Sequence, residues 1–297
     1  MTLAGTLFIG PLAIACHCEP GIQTPEATGA YAQFYVPGNE PKARHAANTL
    51  HVTLRTGDTS LPERPPDFEA GRHWRFYDTD GGPLFGTGFS DRPRPERLCR
   101  VMPDGATAQI IVNPEVIIAP DPPPRIRFPL AYPLDQILAW GMLSRIQGTL
   151  LHAALIVRPD GKGLLLAGRS GAGKSTLSAL CADAGWTVLN DDRALVHFED
   201  GRVLASGTPW HGSGKYAEPR TVPLSGIHFL AQSPSNHVEE IGRSEVLAEL
   251  LRVAALPVFL DDWCTPTLAT LDQLTRAIPM RRLHFQRDPS AVETLSG

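Results

Sequence analysis

Residues 164–177 read LLLAGRSGAGKSTL, and the fold is decided there. An apolar run, LLLA (164–167), has the character of a buried strand. GRSGAGKS (168–175) fits GxxxxGK[ST], and TLSALCADA (176–184) continues as a helix. Strand, glycine-rich turn and helix in that order form a phosphate-binding loop: glycines let backbone N–H groups turn inward, and the helix N-terminus adds positive potential. The expected ligand is a nucleoside triphosphate, held by Gly168, Arg169, Ser170, Gly171, Ala172, Gly173, Lys174, Ser175 and Thr176. Lys174 would pair with the phosphates and Ser175 would ligate Mg²⁺.

Working outward, WTVLNDDR (186–193) is a β-run ending in Asp191-Asp192, seventeen residues past Lys174. A helix and a return strand fill that distance, so both carboxylates are expected beside the phosphates. Neighbouring strand residues point to opposite sides, so the pair divides its labour. One would hold Mg²⁺, directly or through water, and the other would take the proton of an attacking hydroxyl. A metal ligand beside a turn cap is the alternative.

Upstream, LDQILAWGMLSRI (134–146) predicts a buried helix, LLHAALIV (150–157) a strand and PDGKG (159–163) a turn. Downstream, GIHFLAQ (226–232) predicts a strand. Val246, Leu247, Leu250, Leu251 and Ala254 make one helix face, and PMRRLHF (279–285) alternates as an antiparallel strand does. Asp261-Asp262 is a rival acidic pair, but Thr265-Pro266 behind it resembles an N-cap and first helical residue, which leaves the two acids in a loop. His228 and His284 belong to core strands and receive no function.

Several classes are excluded. The guanine-reading [NT]-K-x-D is missing: the four lysines, at 42, 162, 174 and 215, follow Pro, Gly, Gly and Gly. LSGGQ is missing too, and small nucleotide kinases carry the loop near the N-terminus, not after 167 residues. A net charge of −4 offers no basic surface to nucleic acid or an anionic membrane. The apolar stretch TLAGTLFIGPLAIAC (2–16) lacks a preceding positive residue and is broken at Pro11; it predicts two short strands. Five cysteines without a CxxC pair indicate a reducing compartment, and the protein is expected to be cytoplasmic. Cys16-His17-Cys18 has no second cluster to complete a metal site and is read as two strand or loop thiols.

Proline divides the chain, with nineteen residues in 1–133 and nine in the remainder. Short β-runs (LFIGPLAIAC, TLHVTLR, WRFYD, AQIIVNPEVIIA) punctuated by DTDGG and MPDGA predict a β-rich module over 1–125, suited to substrate recognition. PDPPP (120–124) makes a stiff connector. The catalytic domain is then 126–297, and the whole is an α/β protein with α+β elements.

LHAALIV, the turn, LLLAGRSGAGKSTL and the strand ending in NDDR together resemble the C-terminal domain of HPr kinase/phosphorylase, whose core is similar to that of phosphoenolpyruvate carboxykinase. The resemblance covers 148–200 well and 200–290 more loosely. It implies a histidine on the neighbouring strand, His152, and an acidic pair, Asp191-Asp192. The family's second signature is replaced by GTPWHGSGKY (207–216). That segment resembles the HPr-kinase-related enzymes of ribosomal-peptide maturation, including lasso-peptide kinases that phosphorylate serine.

On its own terms, 207–216 is a glycine-bracketed loop carrying Trp210, His211 and Lys215, able to close over a phosphate or present an acceptor. An ordinary turn connector is the alternative for the loop, and a core histidine for His152. Arg220 and Arg243 are further candidate cations. The sequence therefore predicts an ATP- and Mg²⁺-dependent kinase of a peptide serine. A kinase of a small-molecule alcohol and a nucleotide-binding switch are its rivals. Homo-oligomer formation is left open.

Overall fold

The computed structural model describes residues 1–23, 27–38, 41, 47–89, 94–116 and 126–296. Contacts divide the chain into two units, Met1–Met142 and Leu143–Gly297.

In the first unit, β1 (Thr2–Ile9) and β2 (Leu12–Cys18) form a hairpin across Gly10-Pro11. β3 (Tyr35–Pro37), β4 (Thr49–Thr56), β5 (Phe68–Ala70), β6 (Trp74–Tyr77), β7 (Leu84–Thr87), β8 (Arg97–Val101) and β9 (Thr107–Val112) follow. Among the described residues they make one sheet in the order β3-β1-β2-β4-β9-β8-β7-β6-β5. Strict alternation along β9 buries Ala108, Ile110 and Val112 on one face. Helix α1 (Leu134–Leu143) is buried on nearly all sides, its polar Asp135 and Gln136 included, and Asp135 accepts the Tyr31 hydroxyl at 2.7 Å. Cys16 and Cys18 are buried strand thiols of β2, while His17 contacts His51 (Nε2–Nδ1 3.2 Å). The proline connector 120–124 lies outside the described residues.

The second unit is a mixed α/β layer structure. Its strands are β10 (Gly148–Leu151), β11 (Ala153–Val157), β12 (Gly163–Ala167), β13 (Thr187–Asn190), β14 (Ala194–Glu199), β15 (Arg202–Ser206), β16 (Thr221–Gln232), β17 (His237–Glu240) and β18 (Met280–Phe285). The main path runs β10-β14-β15-β16-β12-β11-β13, with β18 beside β16 and β17 beside β18. The long β16 ties the two halves, antiparallel to β15 at its start and parallel to β12 and β18 further on.

Four helices complete the layers: α2 (Lys174–Asp183), α3 (Arg243–Val253), α4 (Asp261–Ala277) and α5 (Ser290–Ser296). Alternate residues of β11 explain why the central strands β11 and β12 are apolar throughout. Ala153, Leu155 and Val157 pack with Val246 and Leu250 of α3 and Leu271 and Leu274 of α4. Ala154 and Ile156 pack on the other face with Leu177 and Cys181 of α2 and Ala291, Val292 and Leu295 of α5. A sheet buried on both faces has no polar side to display.

Four expectations are corrected. LLHAALIV is two strands, because His152 turns its N–H to the Val253 carbonyl (2.7 Å) and so leaves the ladder. Helix α4 begins at Asp261: the N–H groups of Trp263 and Cys264 bond to the Leu260 carbonyl, and Asp261 and Asp262 occupy the first turn. Acids suit that positive end, and Pro266 lies inside the helix. Leu247 and Leu251 of α3 are exposed at 39% and 41%, off the buried face of Val246, Leu250 and Val253. Strand β18 is antiparallel to β17 but parallel to β16.

Candidate nucleotide site

At the end of β12 the chain passes through 168–173 into α2. Gly171 and Gly173 hold φ of 82° and 106°, a region that glycine enters without a Cβ penalty. Gly173 is required twice over, since a Cβ there would lie 2.6 Å from Phe285 Cζ. The loop's outer turn is fixed by Gln232, whose Nε2 donates to the Gly171 carbonyl at 2.9 Å.

Lys174 is buried with its ammonium pointing back into the loop. Nζ donates to the carbonyls of Gly168 (2.7 Å) and Arg169 (3.2 Å) and meets His152 Nε2 at 3.0 Å. Burial pulls its pKa below the ordinary lysine value, against the opposing charges of Asp192 and Asp191.

The other nitrogen of His152, Nδ1, is 2.9 Å from both the Asp192 carbonyl and Asp192 Oδ1. Two acceptors at Nδ1 and an ammonium at Nε2 select one tautomer: Nδ1 carries the hydrogen, and Nε2 accepts from the lysine. The break between β10 and β11 thus has a use, since it turns this ring from the sheet toward the loop. Burial alone would raise the Asp192 pKa. The hydrogen bond from His152, with the charges of Arg193 at 3.6 Å and Lys174, holds it below the usual carboxylate range.

Asp191 is engaged by a different segment. Its Oδ1 accepts the Gly212 N–H at 2.7 Å and its Oδ2 the Gly214 N–H at 2.6 Å. The preceding residue anchors both aspartates: the Asn190 side chain is buried and accepts the Leu155 N–H at 3.2 Å, where the β11–β13 register shifts. Loop 207–216 is thereby drawn to the start of α2, where Ser213 Oγ donates to Ser175 Oγ at 3.2 Å.

A cleft of about 330 Å³ lies between these segments. Its lining includes His152, Lys174, Ser175, Thr176, Asp191 and Asp192, with Ser170, Gly171 and Gly173 on one side and Gly212 and Ser213 on the other. Gly168, Arg169 and Ala172 instead border a second hollow of about 290 Å³, together with Phe229, Leu230 and Arg252. His211 and Lys215 are exposed and do not line the cleft; His211 Nδ1 rests on the Gly212 carbonyl at 3.0 Å. Nor do Arg220 and Arg243, which pair with Glu218 (3.5 Å) and Asp272 (2.9 Å). Trp210 is buried.

One lining residue escaped the sequence reading. Arg287 follows β18 and reaches the cleft. It lies just past the C-terminal end of a strand running parallel to β16 and β12, where ligands of open α/β sheets collect, but PMRRLHF itself carries no signal of that parallel pairing.

The family model of the SynChlorMet cassette protein ScmC matches residues 136–286. Among solved structures, the Hpr(Ser) kinase/phosphatase from Coxiella burnetii is similar at 18% identity and a TM-score of 0.30, over 50% of this chain and 93% of that one. No curated protein matches the sequence. Among the described residues, no helix is long and apolar enough to cross a membrane.

Proposed function

The chain belongs to the SynChlorMet cassette protein ScmC family, and on that footing we propose that its second unit is an ATP-dependent phosphotransferase acting on a hydroxyl. The observation that carries this reading is the convergence of a phosphate loop with a buried ammonium, Lys174, and a carboxylate, Asp192, on one cleft. A binding module alone needs the first; transfer needs a proton acceptor opposite it.

The loop fits a triphosphate. Gly171 and Gly173 carry no Cβ to obstruct a phosphate chain, Lys174 Nζ already rests on loop carbonyls, and Arg287 adds a second cation at the cleft wall. Ser175 supplies a hard oxygen donor of the kind Mg²⁺ takes, and the ion when bound would neutralise charge on the β- and γ-phosphates.

In the transfer, the acceptor oxygen forms a bond to the γ-phosphorus as the bond from that phosphorus to the β–γ bridging oxygen breaks. The electron pair leaves on ADP, and the hydroxyl proton passes to the Asp192 carboxylate. His152 donates to Asp192 throughout and holds its oxygens in place. The acceptor placed first is a peptide serine, from the resemblance of 207–216 to peptide kinases. A small-molecule alcohol would use the same chemistry.

Calorimetric titration with MgATP tests the nucleotide site. Lys174→Ala should weaken binding by about a hundredfold or more, whereas Asp192→Asn should keep substantial affinity and lose transfer. Undiminished affinity in Lys174→Ala, in a variant that remains folded, would remove the assignment.

A further inference from the structure

The two adjacent aspartates invite one explanation, yet their surroundings differ. Asp192 is about a third exposed and faces His152 and the cleft. Asp191 is 2% exposed, and each of its oxygens already holds a backbone N–H from the loop 207–216. The contact is built from both sides. A Cβ on Gly212 would lie 3.0 Å from Asp191 Oδ2, and one on Gly214 would lie 2.8 Å from it. Glycine at both positions is what lets the backbone come this close. Between them stands Ser213, the loop residue that touches Ser175.

We propose that Asp191 is a positioning residue, a latch that pulls the loop 207–216 against the phosphate loop and thereby makes Ser213 part of the cleft wall. The carboxylate spans two N–H groups two residues apart, so the peptide between them must bow toward the cleft. Ionised carboxylates accept such bonds more strongly than neutral groups do, which suits a clasp that has to hold a glycine-rich loop against its own entropy. In this role Asp191 contacts neither the acceptor hydroxyl nor the transferring phosphorus. Its influence passes through the loop, while Asp192 alone is the proton acceptor. The consequence for catalysis rests on the phosphotransferase reading; the latch itself is a property of the folded chain.

Two variants of the full-length protein separate these roles. Asp191→Asn leaves a single acceptor and turns an NH₂ group toward one of the two donors. Gly214→Ala opens the same contact from the loop side and leaves Asp191 intact. Hydrogen exchange read by mass spectrometry on the peptide covering 207–216 should quicken about tenfold or more in both, with the peptide covering 168–176 protected as in the unaltered protein. ADP formation from MgATP should fall by a similar factor in the two variants.

An Asp191→Asn protein that loses ADP formation while the loop exchanges as slowly as before would overturn the proposal and make Asp191 a catalytic residue. If Asp191→Asn does not fold, Gly214→Ala decides: unchanged exchange overturns the latch. Should the unaltered protein form no ADP, the phosphotransferase reading fails, and the exchange measurement still decides the latch.

Discussion

His152 Nε2 lies 3.0 Å from Lys174 Nζ, while Nδ1 of the same ring lies 2.9 Å from Asp192 Oδ1. One imidazole therefore spans the cation of the phosphate loop and the carboxylate across the cleft. It does so in a single tautomer, and the cost is a break between β10 and β11. Coupled hydrogen bonds of this kind act as a unit.

Removing the ring should therefore harm turnover more than binding. In His152→Ala, Lys174 keeps the Gly168 and Arg169 carbonyls, so MgATP affinity should change only a few-fold. Asp192 loses the group that orients it, and kcat should fall about tenfold to a hundredfold. Steady-state ADP formation over a range of ATP concentrations separates the two effects. Unchanged kcat would mean that His152 merely fills space.

The two loop glycines should differ in their tolerance of alanine. At Gly173 a Cβ meets Phe285 and φ is 106°, so Gly173→Ala should cost about 2–3 kcal/mol and distort the phosphate site. At Gly171 the φ is 82° but nothing lies within 4 Å of an added Cβ, so Gly171→Ala should cost about 1 kcal/mol. Urea unfolding of the pair checks the order; equal losses would contradict it.

Acid should destabilise the protein through two core histidines outside the site. His197 and His228 are buried, and burial pulls each down to about 4; Arg281 and Arg158 act in the same direction on His228. Nδ1 of each has no hydrogen-bond partner among the described residues. Free histidine titrates near 6.5, so between about 6.5 and about 4 the unfolded chain holds protons that the folded chain does not. Their contribution is intact above that window. It is lost as pH falls through it, by about 1.4 kcal/mol per pH unit for each histidine at most. Urea unfolding at pH 7.5 and pH 5 measures it, and equal stability would contradict the burial of neutral rings.

The parts of the site most legible in the sequence were those specified by local pattern. LLLAGRSGAGKST announces strand, loop and helix because each piece carries its own signal, and structure places β12 and α2 there. What stayed hidden depended on distant partners. Nothing within LLHAALIV shows that His152 will give its N–H to Val253, about a hundred residues on. Thr265-Pro266 imitates a helix start, yet Leu260 and two acids had already begun α4. Asp191 and Asp192 look equivalent in a row of letters. Their difference arises only when Gly212 and Gly214 fold onto one of them and His152 onto the other. Arg287 reaches the cleft by following a strand whose parallel pairing with β16 its own sequence does not specify.

The most direct test of the phosphotransferase reading is ADP release from MgATP by the purified full-length chain, alone and with a pool of short serine-bearing peptides, followed by mass spectrometry of those peptides. The account predicts release that rises with peptide, one phosphate gained on a peptide serine, and loss of both in Asp192→Asn. Release and transfer that persist undiminished in a folded Asp192→Asn protein, or tight nucleotide binding with no phosphate transferred to a peptide or a small-molecule alcohol, would contradict it.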